Sequence, residues 1–174
     1  MPRNIEIKAR IASVEALLPA VQAFADGPSQ AIAQDDTFFV CARGRLKLRN
    51  FGDGSGELIH YHRADAAGPK LSDYVRVTTA EPAALREALT RAQGVLGRVR
   101  KQRQLLLIGP IRIHLDCVDD LGEFLEIEVV LREDQTVAEG QAIADALLAR
   151  LGVPESSRLA GAYLDMLLAL RAAR

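Results

Sequence analysis

The stretch Asn4–Arg10, "NIEIKAR", alternates at every residue. Ile5, Ile7 and Ala9 take one parity; Asn4, Glu6, Lys8 and Arg10 take the other. On a β-strand the two parities point to opposite faces. The pattern returns along the chain. In "GRLKLRN" Arg45, Lys47 and Arg49 oppose Leu46 and Leu48. In "IRIHLDC" Arg112, His114 and Asp116 oppose Ile111, Ile113, Leu115 and Cys117. In "FLEIEVV" Glu126 and Glu128 oppose Leu125, Ile127 and Val129. In "RVRKQRQLLL" Lys101 and Arg103 share parity with Val99 and Leu105, so that strand is mixed. A sheet with one solvated face is the simplest account of any single strand. Ordinary wet faces, however, mix Ser, Thr and Gln with the charges. Here one parity is almost wholly ionic, with the acids and the bases grouped on particular strands.

Period-2 patterning predicts strands at Arg3–Ala12, Thr37–Cys41, Arg45–Phe51, Glu57–Arg63, Tyr74–Thr78, Arg98–Ile108, Ile111–Cys117 and Glu123–Leu131. Short reversals at "NFGDGSGE", "IGPI" and "DDLGE" join several of them, which forces those pairs antiparallel. Four segments read as helices. Val14–Ala25 follows Ser13 as N-cap, with Pro19 expected to bend or divide it. Pro82–Gln93 stops at Gly94. Thr136–Leu151 opens on a capping box, Thr136 with Glu139. Ser157–Arg171 repeats apolar residues at helical spacing. Residues 64–72 read as a loop. The order predicts an α+β fold, residues 1–174 forming one domain.

Antiparallel strands in this number can close into a barrel, which removes exposed edges. With the charged face inward, the interior has to be wet and charge-balanced, because unpaired buried ions cost several kcal/mol each, to order of magnitude. Carboxylates at Glu6, Asp116, Glu126 and Glu128 suit a hard dication such as Mg2+ or Mn2+. Lys8, Lys47, Arg49, Lys101, Arg103 and Arg112 suit an anion carrying several phosphates. Together these are the components of phosphoryl chemistry.

Other chemistries find no support. The chain has no G-x-x-x-x-G-K-[ST] and no G-x-G-x-x-G. His60, His62 and His114 make no zinc set with the two cysteines, Cys41 and Cys117. His114 falls on the charged parity and is a candidate ligand contact. Net charge is −1, which gives no footprint for nucleic acid. No apolar run reaches the roughly 18 residues of a membrane span, and no signal-peptide core is present near the start. Two cysteines make no disulfide framework, so the expected location is cytoplasmic.

These segments resemble the CYTH superfamily of triphosphate tunnel metalloenzymes, which includes class IV adenylyl cyclases, thiamine triphosphatases and inorganic triphosphatases. "NIEIKAR" is similar to the family's E-x-E-x-K signature, matched at Glu6 and Lys8. "DDTFF" (Asp35–Phe39) is similar to its D-T-Y-F segment. "RLKLR" resembles its basic strand, and "VRKQR" its K-x-R strand. "RIHLDCVDDLGEFLEIEV" resembles its most distinctive stretch, and "GAYLDML" its closing helix. The resemblance implies a closed eight-stranded antiparallel β-barrel, a triphosphate tunnel with a charged lumen and flanking helices. It implies Glu6, Lys8, Glu126 and Glu128 as catalytic residues, with Mg2+ or Mn2+ on Glu6, Asp116, Glu126 and Glu128. It implies phosphate contacts from Lys8, Lys47, Arg49, Arg63, Lys101, Arg103 and Arg112. Asn4 departs from the signature, replacing its first glutamate with a neutral oxygen. Hydrolysis of tripolyphosphate, thiamine triphosphate or ATP is the favoured activity. The alternatives are cyclisation of ATP to cyclic AMP and pyrophosphate, and binding of polyphosphate or nucleotide with little turnover.

Overall fold

The computed structural model describes residues 3–62 and 73–173. Its elements follow the order β1 (Arg3–Arg10), α1 (Val14–Gln22), β2 (Gln30–Phe39), β3 (Arg45–Asn50), β4 (Gly56–His62) and β5 (Asp73–Thr79). Then come α2 (Pro82–Gln93), β6 (Val95–Ile108), β7 (Ile111–Val118), β8 (Gly122–Leu131), α3 (Val137–Arg150), β9 (Arg158–Leu159) and α4 (Tyr163–Ala172). The strands form one antiparallel sheet in the order β5-β4-β3-β2-β6-β7-β8-β1-β9. The α+β class is as expected. Among the described residues the sheet is open, with no ladder joining β5 to β9, and it has nine strands rather than a closed eight.

The register carries the parity argument across the whole sheet. Residues paired in a ladder share a face. Glu6 faces Glu128, which faces Arg112; Lys8 faces Glu126, which faces His114. Asp116 faces Arg103, Asp36 faces Arg49, and Lys47 faces Ile59, which faces Arg76. Thus the ionic parity lies on one face from β1 to β5.

The opposite face holds the larger core. Ile5, Ile113, Leu115, Leu125, Ile127 and Val129 are almost fully buried there, against Val21 of α1 and Ala144 and Leu148 of α3. Burying an aliphatic side chain of this kind contributes about 1.5–3 kcal/mol, so this half of the sheet anchors the fold. Residues on α1 and α3 therefore cover the apolar side and leave the charged side concave and accessible.

α4 packs on the other side. Leu164 and Leu167 meet Phe38, Val99, Val118 and Phe124, all on the ionic face. This accounts for Val99 on the ionic parity of β6, since it faces a helix rather than an ion. Gly97 permits the approach, since a Cβ there would lie 2.5 Å from Leu164 Cδ1.

Helix boundaries differ from expectation in two places. α1 is not divided by Pro19, but it ends at Gln22 rather than Ala25. The final helix starts at Tyr163 rather than Ser157. A short 3-10 turn at Glu155–Ser157 comes first, and Leu159 then pairs with Lys8 as β9. Gly161 adopts φ +96°, a left-handed turn that redirects the chain into α4.

Candidate functional site

The ionic face lines a cavity of about 410 Å³ that is open on one side. Its wall includes Glu6, Lys8, Lys47, Arg49, Lys101, Arg103, Arg112, Glu126 and Glu128, drawn from β1, β3, β6, β7 and β8. Asp36, Arg76 and Tyr163 join them, and none of these three was nominated from sequence. Among the described residues, seven cations thus line the cavity against four carboxylates. Phe38, Ile59, Tyr61 and Tyr74 add an apolar wall from β2, β4 and β5. Arg63, expected to contact phosphate, lies outside the described residues.

Three ion clusters organise the wall. Asp36 accepts from Lys47 Nζ at 2.8 Å and takes both Nε and Nη2 of Arg49 at 2.8 Å. Burial would raise the Asp36 carboxyl, but Lys47 and Arg49 outweigh it and hold it far below the usual range. The fork geometry fixes the Arg49 plane. The sequence signal for Asp36 was its place in the "DDTFF" segment on the parity of Phe38.

In the second cluster Asp116 is fully buried and does not itself line the cavity. Arg103 donates Nε to Oδ1 and Nη2 to Oδ2, both at 2.7 Å. The Tyr163 hydroxyl donates to Oδ2 at 2.9 Å, and Lys101 Nζ stands 3.6 Å away. Both oxygens are therefore engaged by the chain itself. Burial raises the Tyr163 hydroxyl far above its ordinary value, with Asp116 and Glu126 adding to it, so it stays a donor. Burial, and then Arg103, push Lys101 down to about 8 against the pull of Asp116, Glu126 and Asp36.

Glu126 centres the third cluster. Lys8 Nζ lies 3.2 Å from Oε2, and His114 Nδ1 is 2.9 Å from Oε1. Arg103 Nη2 reaches Oε1 at 3.5 Å. Burial favours the neutral acid, but Lys8, His114 and Arg103 hold the carboxyl well below its ordinary range. His114 sits behind this carboxylate and is not among the lining residues.

Glu6 and Glu128 occupy directly opposed positions on β1 and β8. The Asn4 amide donates to Glu128 Oε1, and Arg112 Nη1 is 3.4 Å from each Glu128 oxygen. Among the described residues no three acidic, histidine or cysteine side chains gather into a ready-made metal centre. An opposed pair of carboxylates still fits a dication that takes its remaining ligands from water and substrate phosphates, as Mg2+ commonly does.

The fold and this wall define an α+β protein whose antiparallel sheet lines a cation-rich cavity. The chain belongs to the CYTH domain family, whose sequence model matches residues 2–163. No curated protein matches it. Among solved structures it is similar to the PH1012 protein of Pyrococcus horikoshii (21% identity, TM-score 0.79, covering 93% of this chain and 98% of that one). It is also similar to a candidate adenylate cyclase from Vibrio parahaemolyticus (19% identity, TM-score 0.73, covering 95% and 97%). A third is a Hippeastrum protein, a candidate adenylyl cyclase with a dominant triphosphatase activity (17% identity, TM-score 0.66, covering 88% and 89%).

Proposed function

We propose that this chain is a metal-dependent triphosphatase that hydrolyses a phosphoanhydride bond of a triphosphate held in the cavity. The surplus of cations over carboxylates, seven to four among the described lining residues, carries the reading. A linear triphosphate brings the several negative charges that this surplus lacks. Lys8, Lys47, Arg49, Lys101, Arg103 and Arg112 bind the phosphoryl oxygens. Asp36, Asp116 and Glu126 fix those cations before the ligand arrives, so little ordering entropy remains to be lost on binding. Hydrolysis forms a bond from water oxygen to the terminal phosphorus as the bridging P–O bond breaks, releasing orthophosphate and the diphosphate with loss of the water proton to solvent. The charge developing on the departing diphosphate oxygen meets fixed guanidinium and ammonium groups.

Mg2+ or Mn2+ would be held by Glu6 and Glu128, where it would neutralise phosphate charge and lower the pKa of a bound water. Asp116, assigned to metal from the sequence, is better read as an anchor for Arg103 and Lys101, because it is fully buried behind the cavity wall and both its oxygens are taken at 2.7–2.9 Å. Glu126 serves mainly to hold Lys8 and His114.

The apolar wall of Phe38, Ile59, Tyr61 and Tyr74 favours a second reading, in which an organic group rests there and ATP is cyclised. The test is a panel of tripolyphosphate, thiamine triphosphate and ATP with Mg2+ or Mn2+, products being separated. Orthophosphate with the matching diphosphate is expected. Cyclic AMP with pyrophosphate would replace the first reading by the second. Binding without metal-dependent turnover would leave only a polyphosphate-binding protein. Glu128→Gln should lower turnover by at least about a hundredfold with unfolding temperature nearly unchanged, in line with the loss of a group that stabilises transition-state charge. Retained turnover would refute the metal assignment.

A further inference from the structure

Tyr163 stands where α4 meets the ion clusters. Its ring centroid lies 4.0 Å from Lys8 Nζ and 5.0 Å from Lys101 Nζ. Its hydroxyl donates to Asp116, the residue that forks Arg103. One side chain thus touches three of the phosphate-binding groups directly or through a single carboxylate. Lys101 depends on it particularly, because Asp116 at 3.6 Å lies beyond a direct hydrogen bond. A desolvated ammonium over an aromatic face gains real attraction, and two of them on one ring also limit where each can go.

The helix that carries Tyr163 is itself fastened at both sides. Arg45 Nη2 of β3 reaches the two Asp165 oxygens at 3.2 and 3.1 Å. Leu164 fills the space left by Gly97 on β6. Phe124 packs on the Tyr163 ring at 5.0 Å between centroids. The ring is therefore a fixed support rather than a mobile side chain.

We propose that Tyr163 is the positioning residue of the triphosphate site, its ring seating Lys8 and Lys101 and its hydroxyl fixing the Asp116–Arg103 pair. The binding consequence rests on the reading of the cavity as a triphosphate site. The seating of the lysines does not.

Competitive acetylation of the intact protein, with Lys8, Lys47 and Lys101 quantified by mass spectrometry, tests the seating directly. Tyr163→Leu should raise labelling of Lys8 and Lys101 about threefold or more, a change of the size that losing an aromatic–cation contact implies. Lys47, which lies near Phe38 and Tyr61 instead, should label as in the wild type. Unchanged labelling, or an equal rise at all three lysines, overturns the proposal. In parallel, calorimetric titration with tripolyphosphate should show about tenfold weaker binding by Tyr163→Leu. Wild-type protein that binds no tripolyphosphate sinks the triphosphate reading, while the labelling still decides the role of Tyr163. Tyr163→Phe keeps the packed ring and carries the test if the leucine variant does not fold. It should leave Lys8 labelling at the wild-type level and weaken tripolyphosphate binding about fivefold, as the loss of one buried hydrogen bond implies. Increased Lys8 labelling with that ring in place would overturn the proposal.

Discussion

Asp116→Asn separates an anchoring carboxylate from a metal ligand. In the wild type the Asp116 side chain is wholly buried and answers Arg103 twice, Tyr163 once and Lys101 at longer range. Asparagine keeps the shape but removes the charge, and it turns an NH2 group toward one of these donors. Removing one partner of a buried ion pair costs about 3–5 kcal/mol. For a chain of 174 residues, each kcal/mol moves the unfolding temperature by about 2–4 °C. A fall of roughly 6–20 °C is therefore expected in circular-dichroism melts at neutral pH without ligand. Tripolyphosphate should recover part of the loss, because an anion that binds only the folded state stabilises it by mass action. The acid limb gives a second check. Burial would raise the Asp116 carboxyl, but Arg103 and Lys101 outweigh it and hold it below the usual value. The stabilisation is thus complete above the unfolded carboxyl pKa of about 3.9 and is lost only as pH falls through the lower folded value. The gap between wild type and variant should close at strongly acid pH. A melting temperature within about 2 °C of wild type, with the defect seen only as a higher dication requirement for turnover, would refute the reasoning.

Two other perturbations probe the same wall. Lys101, pushed down to about 8, is a cation below that pH and neutral above it. Calorimetric affinity for tripolyphosphate should fall about tenfold as pH rises from 7 to 9.5, and Lys101→Arg should flatten the profile; a wild-type profile already flat would contradict this. Because the folded value lies below that of an unfolded lysine, stability without ligand should gain from this group between pH 8 and about 10.4. Asn4→Glu exchanges the amide that donates to Glu128 for a third carboxylate beside Glu6 and Glu128. It should cost about 1–3 kcal/mol without dication, as an unsatisfied, repelled group does, and recover on adding millimolar Mg2+. A melting temperature insensitive to Mg2+ would mean that these side chains do not gather a cation.

The face assignment was legible in the sequence because strand parity is a local property. Once Glu6, Lys47, Arg112 and Glu126 share a parity with their neighbours, antiparallel register puts them on one surface without further information. The pairing inside that surface was legible only where two charged residues are register partners across a short turn. Arg103 and Asp116 are register partners across the hairpin that turns between Ile108 and Ile111, so their meeting follows once that turn is placed, whereas nothing in "LDC" says that Tyr163 and Lys101 converge on the same carboxylate. Tyr163 read as one apolar position on a helix stripe, and its hydroxyl and ring contacts depend on where α4 docks. The first half of β2, "QAIAQ", carries alanines and glutamines of low strand propensity, so pairing with β6 rather than composition makes it a strand. Closure of the sheet is likewise decided by strands distant in sequence, and no residue marks it.

The chain as a whole is slightly acidic, yet its cavity wall holds a cationic surplus. The balancing negative charge is therefore spread over the remainder of the surface. Beyond a Debye length, about 8 Å in physiological salt, an approaching polyphosphate meets a weak and slightly repulsive field. Only at the mouth does the focused positive potential take over. Association should accordingly respond weakly to added salt at long range and strongly once the anion is inside. On the triphosphate reading, the contrast between cavity wall and outer surface favours small polyanions that can reach the wall.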